Sequence, residues 1–202
     1  MGHPKTRTLR VLWMLHELGL DFDHVASPPR ADDVTALNPL GRIPVLTHED
    51  AVLTDSVAIM AYLGERHQDI GPKDGLPGLS YPAGTPERAV QDAMVLRLID
   101  EFDALLWTRS RHRMILPPEQ RVPEIFDSVA WELKENTAKL GESLGEKPFI
   151  LGDKMSIADI MATHVCGWAI SGGVPLDPPK NLSAYLKRLR TRHAYARALG
   201  RA

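Results

Sequence analysis

The chain has 202 residues, 44% of them hydrophobic and 25% charged, and a net charge of −2. Such a balance gives no reason to expect nucleic acid or an anionic membrane surface as partner. The N-terminus lacks the apolar stretch of a secretory leader, and no apolar run approaches the ~18 residues of a membrane span, so a cytoplasmic protein is expected.

Residues Thr8 to Leu18 place Leu9, Val11, Leu12, Trp13, Leu15 and Leu18 at helical spacing, with Gly19 as a stop signal. Asp21 to Ser27 reads as a short strand, Pro28-Pro29 as a turn, and Ala31 to Leu37 as a short helix ended by Asn38-Pro39. Ile43 to Thr47 and Ala51 to Thr54 are apolar runs separated by His48-Glu49-Asp50, the pattern of a hairpin. Helical spacing returns from Ser56 to about His67. Gly71 to Pro86 is crowded with glycine and proline and reads as an interdomain linker. Beyond it everything reads as helix: Glu87 to Leu116, stopped by Pro117-Pro118; Pro123 to Leu144; a helix starting near Ser156; Asn181 to Thr191; and Ala194 to Leu199. The expectation is a mixed α/β domain over 1–70, a linker over 71–86 and an all-helical domain over 87–202.

Cys166 is the only cysteine, which excludes an intramolecular disulfide and CxxC redox chemistry and fits a small buried hydrophobe. The eight histidines show no HExxH or Cys/His pattern, so no metal site is expected. GxSxG, GxGxxG and P-loop patterns are absent as well.

Two short stretches invite a chemical reading. In Gly41-Arg42-Ile43-Pro44-Val45-Leu46 a proline interrupts a short buried strand, where it cannot donate to a sheet ladder. An ordinary edge-strand proline fits. So does a cis bond, which before proline costs only ~0.5–1 kcal/mol and would turn the Ile43 N–H and C=O outward toward a peptide-like ligand. Asp55-Ser56 sits where the hairpin gives way to a helix. Plain N-capping fits there; so does capture of an amino-acid head, its carboxylate at the helix N-terminus and the Ser56 hydroxyl, its ammonium at Asp55.

Asn38-Pro-Leu-Gly-Arg-Ile-Pro-Val-Leu, Leu53-Thr-Asp-Ser-Val-Ala-Ile and Tyr62-Leu63 closely resemble the N-terminal domain of glutathione transferases. Arg10-Val-Leu-Trp and Glu17-Leu-Gly-Leu extend the resemblance backward. Phe149-Ile-Leu-Gly-Asp-Lys-Met-Ser-Ile-Ala-Asp resembles a helix-start motif of the family's C-terminal domain, with Ser156 and Asp159 at capping-box spacing. The resemblance implies a thioredoxin-like α/β domain followed by an all-α helical bundle. It also implies glutathione as co-substrate, a small electrophile as the second substrate, and a homodimer. By the same resemblance Ile43, beside cis-Pro44, would pair with the cysteinyl backbone, Asp55 and Ser56 would hold the γ-glutamyl end, and Arg42 would lie near the glycyl end.

Conjugation needs a thiolate, and a free thiol titrating near ~8.5 is only a few per cent ionised at neutral pH. Lowering that value by one to two units takes roughly 1.4–2.7 kcal/mol, within reach of one charge-assisted hydrogen bond of ~1.5–3 kcal/mol. The family supplies the hydroxyl from serine or tyrosine at the start of the first helix. Here that slot falls at Lys5 or Thr6, so Thr6 is the candidate, with Thr8 in reserve; Lys5 or Arg7 could instead contribute positive charge. Thr6 as a mere helix cap fits the same position.

Family members also carry an apolar central strand before this hydroxyl, whereas only Met1-Gly-His-Pro-Lys precedes Thr6. A first strand that is absent or truncated is therefore expected, with an impaired N-terminal domain as the consequence.

Trp107 and Met114 are candidates for the electrophile pocket, though helical spacing also suits core. Arg109 and Arg113 share a helix face and could meet an anion, a partner subunit or only water. Asp100 could approach the γ-glutamyl ammonium or be an exposed helix carboxylate. Two other readings stand beside conjugation: a glutathione-dependent peroxidase or disulfide reductase, and a non-catalytic member of the fold that binds glutathione or a protein.

Overall fold

The computed structural model describes residues 1–201. Helix α1 (Thr8–Leu18) forms as its apolar spacing requires, and Gly19, at φ 67°, ends it in the left-handed conformation. After α2 (Asp32–Leu37) the chain makes an antiparallel hairpin, β1 (Val45–His48) with β2 (Ala51–Thr54), in a register that sets Val45 opposite Thr54. Helix α3 (Ser56–Arg66) follows directly.

The predicted strand over Asp21–Ser27 does not form. A strand needs a ladder, and among the described residues this segment makes one main-chain hydrogen bond to another part of the chain. Gly2 N–H donates to the Val25 carbonyl at 2.8 Å, while Met1 exchanges hydrogen bonds of 2.7 and 3.1 Å with Val45 on its other side. Met1-Gly2 therefore stands between Val25 and β1, in the place where the family resemblance calls for an apolar strand.

The long predicted helix runs unbroken from Pro86 to Ile115 but is not uniform. It comprises α4 (Pro86–Leu98), a π-helical stretch over Ile99–Ala104, α5 (Leu105–Ser110) and a second π-helical stretch over Arg111–Ile115. Each wider turn shifts the register of the side chains beyond it, a change apolar spacing does not encode. Helix α6 (Ile125–Leu144) follows. Helix α7 (Ile157–Ser171) starts at a capping box in which Asp159 accepts from the Ser156 N–H at 2.8 Å. Asp159 also accepts from Ile150 N–H at 2.8 Å and from the Tyr185 hydroxyl at 2.7 Å, fastening the start of α7 to α8 (Lys180–Arg190). Helix α9 (His193–Ala198) packs on α1, with Tyr195 edge-on to Trp13 at 4.9 Å.

A single apolar core unites Trp13, Ile59 and Met60 of the α/β part with Phe102, Leu133 and Met161 of the helices. The 71–86 stretch is wedged into place: Leu79 is fully buried, Leu76 N–H donates to Met155 O, and Met155 N–H donates to Asp74 O. Arg192 clamps Glu17 and Asp74 together with bonds of 2.6–2.9 Å. No helix among the described residues is long and apolar enough to cross a membrane.

Candidate functional site

The loop before β1 is built by Asn38. Its Oδ1 accepts from Leu40 N–H at 3.2 Å and its amide donates to the Arg42 carbonyl at 2.9 Å, a side chain replacing missing backbone partners. Gly41 closes the turn at φ 63°, where a Cβ would come within 3.0 Å of Arg30 Cγ, so only glycine fits without strain. This turn delivers the Ile43-Pro44 peptide, which is cis. Neither the N–H nor the C=O of Ile43 takes part in a backbone hydrogen bond among the described residues. Arg42 is exposed beside it.

One hairpin later, Asp55 holds a left-handed φ of 69°. Such a conformation costs of order 1–3 kcal/mol for a non-glycine residue. Its Oδ1 offsets this by capping α3, accepting from Val57 N–H at 2.8 Å and Ala58 N–H at 3.4 Å. Asp55 is exposed, whereas Ser56 is 1% exposed, its Oγ accepting from Arg10 Nη1 at 3.0 Å.

At the start of α1, Thr6 Oγ1 lies 2.7 Å from the His3 carbonyl and 3.1 Å from Thr8 Oγ1, and accepts the Thr8 N–H at 3.2 Å. Thr8 is 2% exposed. It is covered by Gly2, whose Cβ, were there one, would stand 2.2 Å from Thr8 Oγ1 and 3.1 Å from Ile43 Cβ. Thr6 is thus the half-buried, reachable hydroxyl and Thr8 the hidden one. Thr8, Gly2 and Ile43 are immediate neighbours.

Lys5 is exposed, but Arg7 is pinned. Its Nε donates to Asp103 at 3.0 and 3.1 Å, and its guanidinium lies between the Trp107 and Trp168 rings at 5.2 and 4.9 Å. Trp107 therefore borders this edge of the molecule. Met114 does not join it in the interior; its side chain is 63% exposed. Arg109 and Arg113 both donate to the Gly172 carbonyl, at 3.0 and 2.9 Å, securing the end of α7. Asp100 is exposed, and the acidic residue that reaches α1 is Asp103.

Behind these groups lies a buried polar network that motif reading passed over. Arg10 donates to Asp103, to Ser56 Oγ and to His164 Nδ1, the last at 3.0 and 3.1 Å. His164 Nε2 lies 3.2 Å from the Thr6 carbonyl. One signal was available: Arg10 is a charge inside the apolar run Leu9 to Trp13, and a charge on a buried helix face requires partners. Burial, seconded by the Arg10 charge, pushes His164 well below the usual histidine range. For Asp103, burial acts upward, but the hydrogen bond from Arg7 and the Arg10 and Arg7 charges outweigh it and hold the carboxyl below its ordinary value. Two guanidiniums share this one carboxylate, and Asp55 also acts on Arg10, so the charges gathered behind the start of α1 are close to balanced. Among the described residues no cluster of three or more His, Cys, Asp or Glu could hold a metal ion.

Comparison with known proteins follows the same lines. The sequence profile of the glutathione S-transferase N-terminal domain matches residues 7–66. Glutathione S-transferase F13 of Arabidopsis thaliana is 28% identical over 203 residues, covering 92% of this chain and 87% of its own. Glutathione S-transferase 1 of Dianthus caryophyllus is 44% identical over 167 residues, covering 75% of this chain and 67% of its own. The beta-class glutathione S-transferase of Sphingomonas chungbukensis superposes with a TM-score of 0.81 over 99% of this chain and 98% of its own, at 24% identity, a likeness of fold. With the domain profile over α1 to α3 and a relative at 44% identity, the chain belongs to the glutathione S-transferase family.

Proposed function

We propose that the chain, a transferase by family, conjugates the glutathione thiolate to small hydrophobic electrophiles. Ile43 takes the cysteinyl backbone beside Pro44, Asp55 and Ser56 take the γ-glutamyl end, Arg42 faces the glycyl carboxylate, and Thr6 donates to the thiolate. The observation that carries this reading is a convergence: the unpaired Ile43 main-chain groups lie beside the start of α1 through Gly2, and Arg10 ties the same helix to Ser56. Asp103, shared by Arg7 and Arg10, braces the start of α1 that carries Thr6. Trp107 borders the electrophile, with Met114 at the outer rim. Glutathione is a co-substrate and no metal is used. A cytoplasmic homodimer with a detoxifying role belongs to the same proposal. The division into a 1–70 domain, a 71–86 connector and an 87–202 domain is likewise proposed.

One observation favours a binding-only reading: the Thr6 hydroxyl already has the His3 carbonyl as acceptor at 2.7 Å and must leave it to serve a thiolate. Titrating the thiolate absorbance of bound glutathione in wild type, Thr6→Ser and Thr6→Val decides between the two. Conjugation predicts a thiol lowered by about one unit or more in wild type and Thr6→Ser and restored upward in Thr6→Val. Tight glutathione binding with an unshifted thiol and no turnover of a model aryl halide would establish the binder instead.

A further inference from the structure

We propose that His164, on α7 of the helical part, is a positioning residue for the thiol-activating turn. The hydrogen-bond partners dictate its tautomer. Arg10 presents only N–H groups to Nδ1, at 3.0 and 3.1 Å, so Nδ1 must accept. The ring proton is then on Nε2, which donates to the Thr6 carbonyl at 3.2 Å. That carbonyl already accepts the Leu9 N–H at 3.0 Å as part of the first turn of α1. The second donor is therefore unnecessary for starting the helix. What it adds is direction: the peptide that follows Thr6 is fixed from two sides, and with it the backbone that carries the Thr6 hydroxyl.

The same imidazole acts on the glutathione edge through Arg10. Its Nδ1 accepts from one side of the guanidinium, Asp103 accepts from Nη2, and Nη1 is left aimed at Ser56 Oγ at 3.0 Å. One neutral ring thus sets the Thr6 turn and, through one arginine, the serine at the start of α3. The groups that face it are Arg10 and Arg7 from α1 and the turn before it, Asp103 from the first π-helical stretch, and the Trp168 ring at 6.2 Å from its own helix. Burial first, and the Arg10 charge after it, keep the ring neutral, the state in which it can donate and accept at once.

This inference rests on the reading of Thr6 as the thiol-activating hydroxyl. The test uses His164→Asn, whose amide oxygen keeps the acceptor for Arg10 but whose shorter side chain gives up the reach to Thr6. His164→Gln places an amide nitrogen where Nε2 stood. Thiolate absorbance of bound glutathione against pH, with kcat and KM measured separately, is the readout. In His164→Asn the bound thiol is expected to rise toward its free value and kcat to fall about tenfold, while KM for glutathione changes by less than about twofold. His164→Gln is expected to recover most of both. A normal thiol and kcat in His164→Asn, with wild type clearly lowered, would overturn the role of His164 alone. An unshifted thiol in wild type would overturn the Thr6 reading and this inference with it.

Discussion

Arg10 Nη1 donates to Ser56 Oγ at 3.0 Å, joining the buried side of α1 to the first residue of α3. Both groups are essentially closed to solvent, and the same guanidinium serves Asp103 and His164. Replacing Arg10 by methionine is expected to cost about 3–5 kcal/mol of stability, because a buried carboxylate loses one of its two cations and Nδ1 of His164 loses its donor. Ser56→Ala should cost only about 1 kcal/mol. Urea denaturation of the two variants checks the difference.

Asp55 separates capping from ligand charge. Asp55→Asn preserves a side-chain oxygen for the Val57 and Ala58 N–H groups and tolerates the left-handed φ, so stability should stay within about 1 kcal/mol of wild type. If the carboxylate also meets the γ-glutamyl ammonium, KM for glutathione rises about tenfold in the same variant, since a charge-assisted bond is lost. A stable variant with unchanged KM would reduce Asp55 to a cap.

Gly2 is the spacer between Thr8 and Ile43. A methyl group there would have to displace Thr8 Oγ1, 2.2 Å away, and press on Ile43, at a residue whose φ of 135° already disfavours a side chain. Gly2→Ala is expected to destabilise by about 1–3 kcal/mol and to raise KM for glutathione more than it lowers kcat. Steady-state kinetics beside a thermal melt reports both.

His164 also gives acid stability a signature. Unfolded, it takes up a proton as pH falls through about 6.5, while in the fold burial and Arg10 keep it neutral well below that point. The unfolded chain then binds more protons, so stability declines as pH drops below about 6.5 and is flat above it. His164→Gln should flatten the decline between about pH 5 and 6.5 relative to wild type in urea midpoints. Asp103 works in a separate window: its lowered pKa means stability held above about pH 4 and lost below.

The order of elements was legible because it rests on local spacing: α1, the hairpin, α3 and the Ser156 cap of α7 stand within a residue or two of expectation. The turn into the cis Ile43-Pro44 bond and the cap at Asp55 were readable for the same reason, since Asn38 to Pro44 and Asp55-Ser56 are contiguous stretches. What escaped is non-local. Asp103 and His164 lie 93 and 154 positions from Arg10, and no window along the chain brings them together. The strand over Asp21–Ser27 failed for a related reason, since a strand is a property of its neighbours and this one has Gly2. The two π-helical stretches shift the long helix without any mark in its apolar pattern.

The Arg192 clamp on Glu17 and Asp74 bears on how the molecule meets a protease. By composition, the glycine- and proline-rich stretch around Asp74 is where an enzyme would nick or an engineer would insert. In space it is held by a three-way ion pair, by Met155 on both sides of Gly75, and by Leu79 sunk in the core. Cleavage or insertion there has to open the core first, so the softest-looking segment of the sequence is a poor point of entry into the fold.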